Sequence, residues 1–233
     1  MSFEHDLIVS VHQPQYLPWL GYFDKIEKSD IFVFLDNVQF KKNEWQNRNR
    51  IKTVQGWQWL TVPVLHKFPQ KINEVKINNT AAWGKKHLNS MVTHYSKSPF
   101  FKEYFPFFEK TYSRDWNYMV DINIHIIKFM VRALGISSTQ FLMSSEIKTR
   151  EDSTKRLLDI CRDLKAKIYL SGRNGARYMD ETLFHKEGIE VIYQDYHHPE
   201  YPQLYGEFVP YISAVDLLFN CGPKSLSILK NGE

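Results

Sequence analysis

The sequence contains little cysteine, with two residues in 233, at positions 161 and 221. So few cysteines, so far apart, predict no disulfide framework and indicate a reducing compartment. There is also no C-x-x-C or H-x-x-x-H spacing, so we expect no metal site. We therefore predict a cytoplasmic protein without a bound metal.

Long apolar runs and a strong net charge are also missing. The apolar run at residues 126–132 is interrupted by Lys128 and Arg132, so no membrane span is predicted, and the start of the chain predicts no signal peptide. The formal net charge of +4 does not demand nucleic acid but suits an anionic small substrate. With 43% hydrophobic residues, we expect residues 1–233 to form a single domain with its own core.

The first forty residues predict a βαβ unit. Residues 7–11 and 31–35 are short runs of apolar, β-branched and aromatic residues, which are typical of buried strands. Between them, Leu20, Phe23 and Ile26 recur at helical spacing. A helix joining two parallel strands follows from this pattern.

The loop after the first strand is rigid and polar. Two prolines restrict its backbone, and it carries four hydrogen-bonding residues, His12, Gln13, Gln15 and Tyr16. Ligands of open α/β sheets bind at the carboxyl ends of strands, where this loop should lie. We therefore predict that these four residues contact a substrate, with His12 as the general base because histidine titrates nearest neutral pH. The alternative is a rigid turn with a buried, hydrogen-bonded His12.

A basic, amide-rich stretch follows the second strand. Alternation along an extended segment would put Arg48, Arg50 and Lys52 on one face, where they would bind phosphate oxygens. The alternative is a solvated surface run. Asp36, at the end of the second strand, is placed either to bind a ribose hydroxyl or to form a turn. Because the first loop lacks G-x-G-x-x-G, we predict no dinucleotide cofactor.

A helical insertion is predicted at about residues 80–135, divided at Pro99 and Pro106 and ended by Gly135. Further strands are expected at residues 57–64, 72–77, 140–143, 167–170 and 189–195. Between the strands at 140–143 and 167–170 we expect a helix at about residues 153–164, capped by Ser153. The segment 171–178 is a glycine-bearing turn in which Arg173 would bind an anion, or else it is a plain strand-to-helix turn.

A second polar, proline-bearing loop at residues 196–203 is similar in composition to the first. We predict His198 as the alternative general base, Tyr201 as a substrate contact, and Asp216, on a short helix at 212–219, as the residue that orients an imidazole. Cys161 lies on an apolar helical stripe and should be core. Cys221 follows the helix at 212–219, where the helix dipole disfavours thiolate, so we predict that it is dispensable.

Several stretches are similar to the WbqC-like proteins, namely residues 12–22, 45–51, 170–172, 198–203 and 213–222. They span nearly the whole chain in the order in which that family has them. This resemblance implies a role in the synthesis of a bacterial surface polysaccharide of the O-antigen type.

We predict an α/β fold with a mainly parallel sheet, Rossmann-like βαβ units and the helical insertion. The predicted function is a transferase that passes an acyl or aminoacyl group to an amino sugar on a nucleotide, with an acyl carrier protein as a possible partner. The alternatives are a nucleotidylyl or phosphotransfer enzyme, which should need a divalent metal held by carboxylates such as Asp36, and a non-catalytic nucleotide-sugar-binding protein.

Overall fold

The computed structural model of the chain describes residues 6–177 and 179–230. The strands are β1 Ile8–His12, β2 Ile31–Phe34, β3 Arg48–Thr53, β4 Gly56–Thr61, β5 Val64–Leu65, β6 Lys76–Ile77, β7 Gln140–Met143, β8 Ile168–Ser171 and β9 Glu190–Tyr193. The α-helices are α1 Leu20–Glu27, α2 Trp83–Tyr95, α3 Phe101–Tyr112, α4 Met119–Leu134, α5 Ser153–Asp163, α6 Glu181–Lys186, α7 Val215–Cys221 and α8 Ser225–Lys230. The predicted α/β class is confirmed.

The contacts within the described residues divide the chain into two compact units. Unit 1 takes its described residues from the ranges Met1–Gln13, Asp24–Asn37 and Ser138–Tyr196. Unit 2 takes its own from Pro14–Phe23, Val38–Ser137 and His197–Glu233. Whether the chain behaves as the single domain expected from its sequence stays a prediction.

Unit 1 is built on a five-stranded sheet with the order β7-β2-β1-β8-β9. Each neighbouring pair of strands is parallel, as the sequence predicted. The chain leaves β1 for β2 on one side, and β8 lies on the other side of β1, so the strand order reverses between β1 and β8. In open α/β sheets the carboxyl edge at such a reversal is where ligands bind.

The core of unit 1 collects the apolar residues of β1 and β2 with those of α5. Val9 and Val33 are fully buried with Ile160 and Cys161, so the prediction that Cys161 is a core residue is confirmed. The predicted cap of α5 is wrong by one residue: Asp152, not Ser153, is the N-cap, and its carboxylate accepts a hydrogen bond from the Lys155 N–H. An aspartate in this position satisfies an N–H group that has no partner inside the helix.

Unit 2 contains the antiparallel hairpin of β3 and β4, the short pair β5 and β6, and the helices α2, α3 and α4. The helices confirm the predicted insertion, and Gly135 ends α4 in the left-handed region at φ 85°. Two local expectations are wrong. Residues 72–74 form a 3₁₀ turn rather than the start of a strand, and α3 continues through Pro106, losing there only the hydrogen bond that a proline cannot donate.

No helix in the described ranges combines the length and the apolar character needed to cross a bilayer.

Candidate functional site

His12 is the last residue of β1 and is half-buried. Its Nδ1 lies 3.1 Å from the Gln13 carbonyl oxygen. Because a carbonyl oxygen only accepts, Nδ1 carries the proton, and Nε2 is the basic nitrogen of the neutral ring. Burial, together with the positive charge of Lys25, lowers the pKa of His12 to about 3. The ring is therefore neutral at neutral pH but is a weak base.

Asp36 lies two residues beyond β2 and is buried. Its Oδ1 accepts hydrogen bonds of 2.9 Å from the Ser144 hydroxyl and from the Ser145 N–H. These contacts hold the 3₁₀ turn at 144–146, which follows the neighbouring strand β7. They favour the turn-forming alternative for Asp36 over a ribose contact.

Arg173 begins the 3₁₀ segment Arg173–Arg177 that follows β8. It is exposed and pairs with Asp195, which lies beyond β9. The segment is thus a strand-end turn with an ion pair across it. Tyr178, the last residue of the predicted turn segment 171–178, lies outside the described residues.

Gln15 and Tyr16 belong to unit 2 and are buried. The Tyr16 hydroxyl lies 2.7 Å from His87 Nδ1 and 2.5 Å from the Tyr112 hydroxyl. Its backbone N–H donates to the Trp45 carbonyl at 2.9 Å. Burial raises the pKa of Tyr16 well above its ordinary value. These contacts fix the loop to the helical part of unit 2, so Tyr16 has a structural role in holding the loop.

The hairpin of β3 and β4 brings two of the predicted cations against tryptophans. Arg50 pairs directly across the strands with Trp59. The Arg48 guanidinium lies 4.2 Å from the Trp59 ring centroid, and the Arg50 guanidinium lies 5.0 Å from that of Trp57. These side chains, with the neighbouring Trp45, form what we call the arginine–tryptophan face. Its indole rings are 37–45% exposed.

Lys52 occupies the next position of the same strand face but is buried, and its ammonium donates to the Glu207 carbonyl. Its backbone N–H donates to the Tyr95 hydroxyl at 2.9 Å. Tyr95 in turn donates to Asp216 Oδ2 at 2.9 Å. Lys52 is therefore tied to Asp216 through Tyr95, whereas the two arginines remain at the open face.

Asp216 lies on α7 and is fully buried. Burial raises the pKa of its carboxyl to about 6, and hydrogen bonding with Tyr95, Tyr201 and Gln203 opposes this rise. Tyr201 also lies against the ring of His198, with the two centroids 6.3 Å apart. Tyr201 therefore contacts both Asp216 and His198. That Asp216 orients an imidazole stays a prediction.

His198 is enclosed by aromatic rings. It stacks on Trp19 at 6.4 Å and 10°, and Tyr211 meets it edge-on at 5.0 Å. Its Nδ1 lies 2.9 Å from the Pro199 carbonyl oxygen, so Nε2 is again the basic nitrogen. Burial lowers its pKa below the ordinary value.

Tyr211 connects this histidine to the arginine–tryptophan face, because its carbonyl accepts a 3.0 Å hydrogen bond from Arg50 Nη2. Unit 2 therefore brings together six predicted site residues in one set of contacts: Arg48, Arg50, Lys52, His198, Tyr201 and Asp216. Tyr95, Tyr211 and the tryptophans were missed. Trp57 and Trp59 alternate along one strand, and this pattern could have predicted that both side chains lie on the same face.

Cys221 is buried near the end of α7, where burial and the negative charge of Asp216 raise its pKa to about 11. A thiol in that state is a poor nucleophile. Within residues 6–177 and 179–230, no three histidine, cysteine, aspartate or glutamate side chains are grouped so that they could hold a metal ion.

Comparison with known proteins places the chain. It is 37% identical over 226 residues to an uncharacterized protein of Mycobacterium tuberculosis, Rv1507c, and the match covers 95% of this chain and 97% of that protein. No solved structure matches the chain significantly. The profile of the WbqC-like protein family matches residues 13–228. The chain therefore belongs to the WbqC-like protein family.

Proposed function

We propose that this protein is a transferase of bacterial surface-polysaccharide biosynthesis that passes an acyl or aminoacyl group to an amino sugar carried on a nucleotide. The pathway comes from the resemblance to the WbqC-like proteins. The choice of a nucleotide-linked substrate comes from the chemistry of unit 2.

The arginine–tryptophan face is the observation that carries the proposal. Guanidinium groups bind phosphate oxygens in a bidentate manner, and exposed indole rings stack on sugars and bases. A nucleotide sugar offers a pyrophosphate beside two flat or apolar ring faces, which matches this pairing of Arg48 and Arg50 with tryptophans 4.2–5.9 Å away. Indole rings also hold each guanidinium in place, so less side-chain entropy is lost when phosphate binds.

The transfer step needs a base. The amino nitrogen of the sugar attacks the acyl carbon of a thioester, the new C–N bond forms, the C–S bond breaks, and the sulfur leaves as a thiolate. The attacking nitrogen gives up a proton to a base, which passes it on to the thiolate. We assign this base to the Nε2 atom of His198, because Tyr211 contacts both His198 and Arg50. His12, the first choice from the sequence, is the weaker candidate because its pKa is about 3.

Two measurements test this function. Calorimetry should show that UDP binds and that uridine, which lacks the phosphates, binds at least about tenfold more weakly. Mass spectrometry should then detect acylation of a UDP-linked amino sugar in the presence of an acyl-carrier thioester. Binding without any turnover would leave a nucleotide-sugar-binding protein, and equal binding of UDP and uridine would refute the phosphate role of the face.

A further inference from the structure

Lys25, on α1, is 2% exposed, which is unusual for a lysine. Its ammonium donates a 3.0 Å hydrogen bond to the Val11 carbonyl oxygen in β1. In the part of the chain that the structure describes, no carboxylate lies within ion-pair distance of it. The ammonium is thus a buried cation whose partner is one neutral carbonyl.

Such an arrangement is unfavourable for folding. A buried charge is normally paired with an opposite charge and fully hydrogen-bonded, and an ammonium has three protons to donate. Burial accordingly lowers the pKa of Lys25 to about 7. A methionine in this position would fill similar volume without this cost, and would lose only the single hydrogen bond to the neutral Val11 carbonyl. One such bond stabilises less than burying an unpaired ammonium costs, so a lysine here is better explained by a ligand than by packing.

The neighbouring charged groups do not supply the missing anion. Asp24, the adjacent carboxylate on α1, is 3.1 Å from the Lys28 ammonium and accepts from Gln194 at 2.5 Å. On β1, the charge of Lys25 acts on His12, whose pKa it lowers. Its ring is neutral at neutral pH and adds no negative charge.

The position of Lys25 within unit 1 is that of a ligand-binding group. Its bond to Val11 places the ammonium one residue before the end of β1, at the carboxyl edge of the sheet. This edge is where the strand order reverses between β1 and β8, which is the usual ligand site of an open α/β sheet. His12 lies at the same end of β1 and is half-buried, and the charge of Lys25 acts on its ring.

We propose that Lys25 is the oxyanion-binding residue of a site at the carboxyl end of β1, where it takes a phosphate or carboxylate group of a ligand. The oxyanion supplies the negative charge that no carboxylate of the described residues provides beside the Lys25 ammonium. The site lies wholly in unit 1 and does not depend on the arginine–tryptophan face, so either proposal can fail alone.

The direct test follows the Lys25 side chain by NMR in the wild-type protein with isotope-labelled lysine. Inorganic phosphate and acetate are each added at tens of millimolar, with chloride at equal ionic strength as the control for screening. We expect the titration midpoint of Lys25 to rise by about one pH unit or more in one of the two oxyanions, because the bound anion favours the ammonium form. Phosphate alone would identify a phosphoryl ligand, and acetate alone a carboxylate ligand. No rise beyond that in chloride would overturn the proposal.

Variants provide the second readout. Lys25→Met should weaken binding of the active oxyanion about tenfold or more, as expected for a hydrogen bond to a charged group. Lys28→Met, which removes a nearby lysine paired with Asp24, is the matched control and should bind normally. Equal affinity in wild type and Lys25→Met would refute the proposal. If Lys25→Met does not fold, the NMR titration of the wild type still decides.

Discussion

The carboxylate of Asp216 and the hydroxyl of Tyr95 meet at 2.9 Å, and neither residue is exposed to solvent. The two residues are 121 positions apart in sequence. Their contact joins α7 to the end of α2 and, through Tyr95, to the backbone of Lys52. It makes Asp216 part of the packing of unit 2 as well as a candidate site residue.

Asp216 should therefore make stability depend on pH in an unusual direction. The folded-state pKa of about 6 lies above the ordinary value of 3.8, so the folded protein favours the protonated carboxyl. The contribution of Asp216 to the free energy of unfolding should be lost as pH rises from about 4 to about 6, by at most about 3 kcal/mol.

Asp216→Asn isolates this contribution. His12 titrates with the opposite sign, because its depressed pKa costs stability as pH falls from 6.5 towards 3, so the difference between wild type and variant is the relevant quantity. Urea unfolding should show that the difference in free energy of unfolding between wild type and Asp216→Asn is not the same at pH 4.5 and at pH 7. An identical difference at both would show that the carboxyl titrates normally.

Lys25 provides a second prediction, which concerns stability rather than binding. Its pKa falls from 10.5 to about 7 on folding, so the folded protein favours the neutral amine. The stability lost through Lys25 should grow as pH falls from about 10.5 to about 7 and stay constant below that, reaching at most about 5 kcal/mol. Lys25→Met should be more stable than wild type, with the larger gain at pH 7 than at pH 9.5. A variant less stable than wild type at both pH values would show that Lys25 stabilises the fold.

The arginines of the hairpin provide a third prediction. Arg48→Ala and Arg50→Ala should each weaken binding of a nucleotide sugar by roughly 1.5–3 kcal/mol, the scale of a hydrogen bond to a charged group. Arg114, whose guanidinium lies 3.8 Å from the Trp116 ring centroid, is the matched control because it is a second arginine on a tryptophan. Arg114→Ala should bind normally in calorimetry. Unchanged affinity in both hairpin variants would show that Arg48 and Arg50 do not bind the phosphates of the nucleotide sugar.

The sheet of unit 1 was predictable because its signal is local. β1 and β2 are short apolar runs, and the helical spacing between them favours a parallel connection. The pattern in β3 also predicted a shared face for its three cations, but it could not show that Lys52 turns to Glu207 while Arg48 and Arg50 lie on indoles. That difference depends on residues distant in sequence.

The same limit explains the residues that were missed. Tyr95 lies in a helix whose sequence pattern is that of an ordinary amphipathic helix. Its role depends on the hydrogen bond to Asp216, a residue distant in sequence. Lys25 stands three residues before another lysine, and only its burial against β1 distinguishes the two. In contrast, α3 was predicted to break at Pro106 from a propensity that the packing of its aromatic residues outweighs.

Cys221 is predicted to be dispensable, and the structure adds a reason to the one from the helix dipole. With its pKa raised to about 11, the thiol is protonated at neutral pH. Cys221→Ser should keep turnover within about twofold, whereas Cys161→Ser, which puts a hydroxyl in the core of unit 1, should lose roughly 1–3 kcal/mol of stability. Loss of all turnover in Cys221→Ser, with an unchanged circular dichroism spectrum, would identify a nucleophile.

The last prediction decides between the two histidines. Both rings carry the proton on Nδ1, because each Nδ1 faces the carbonyl oxygen of the following residue, at 3.1 Å for His12 and 2.9 Å for His198. In each neutral ring Nε2 is therefore the basic nitrogen. They differ in basicity and in surroundings. Burial and Lys25 lower the pKa of His12 to about 3, whereas His198 shares Tyr211 with Arg50.

His198→Ala should therefore lower kcat by about 10²–10⁴, the usual contribution of a positioned base, with little change in substrate affinity. His12→Ala should keep kcat within a few-fold, because a base with a pKa of about 3 takes up a proton poorly at neutral pH. Steady-state kinetics at saturating substrate separate the two, and circular dichroism confirms that each variant is folded. The reverse result, with kcat lost only in His12→Ala, would restore His12 as the base and leave His198 as a packing residue between Trp19 and Tyr211.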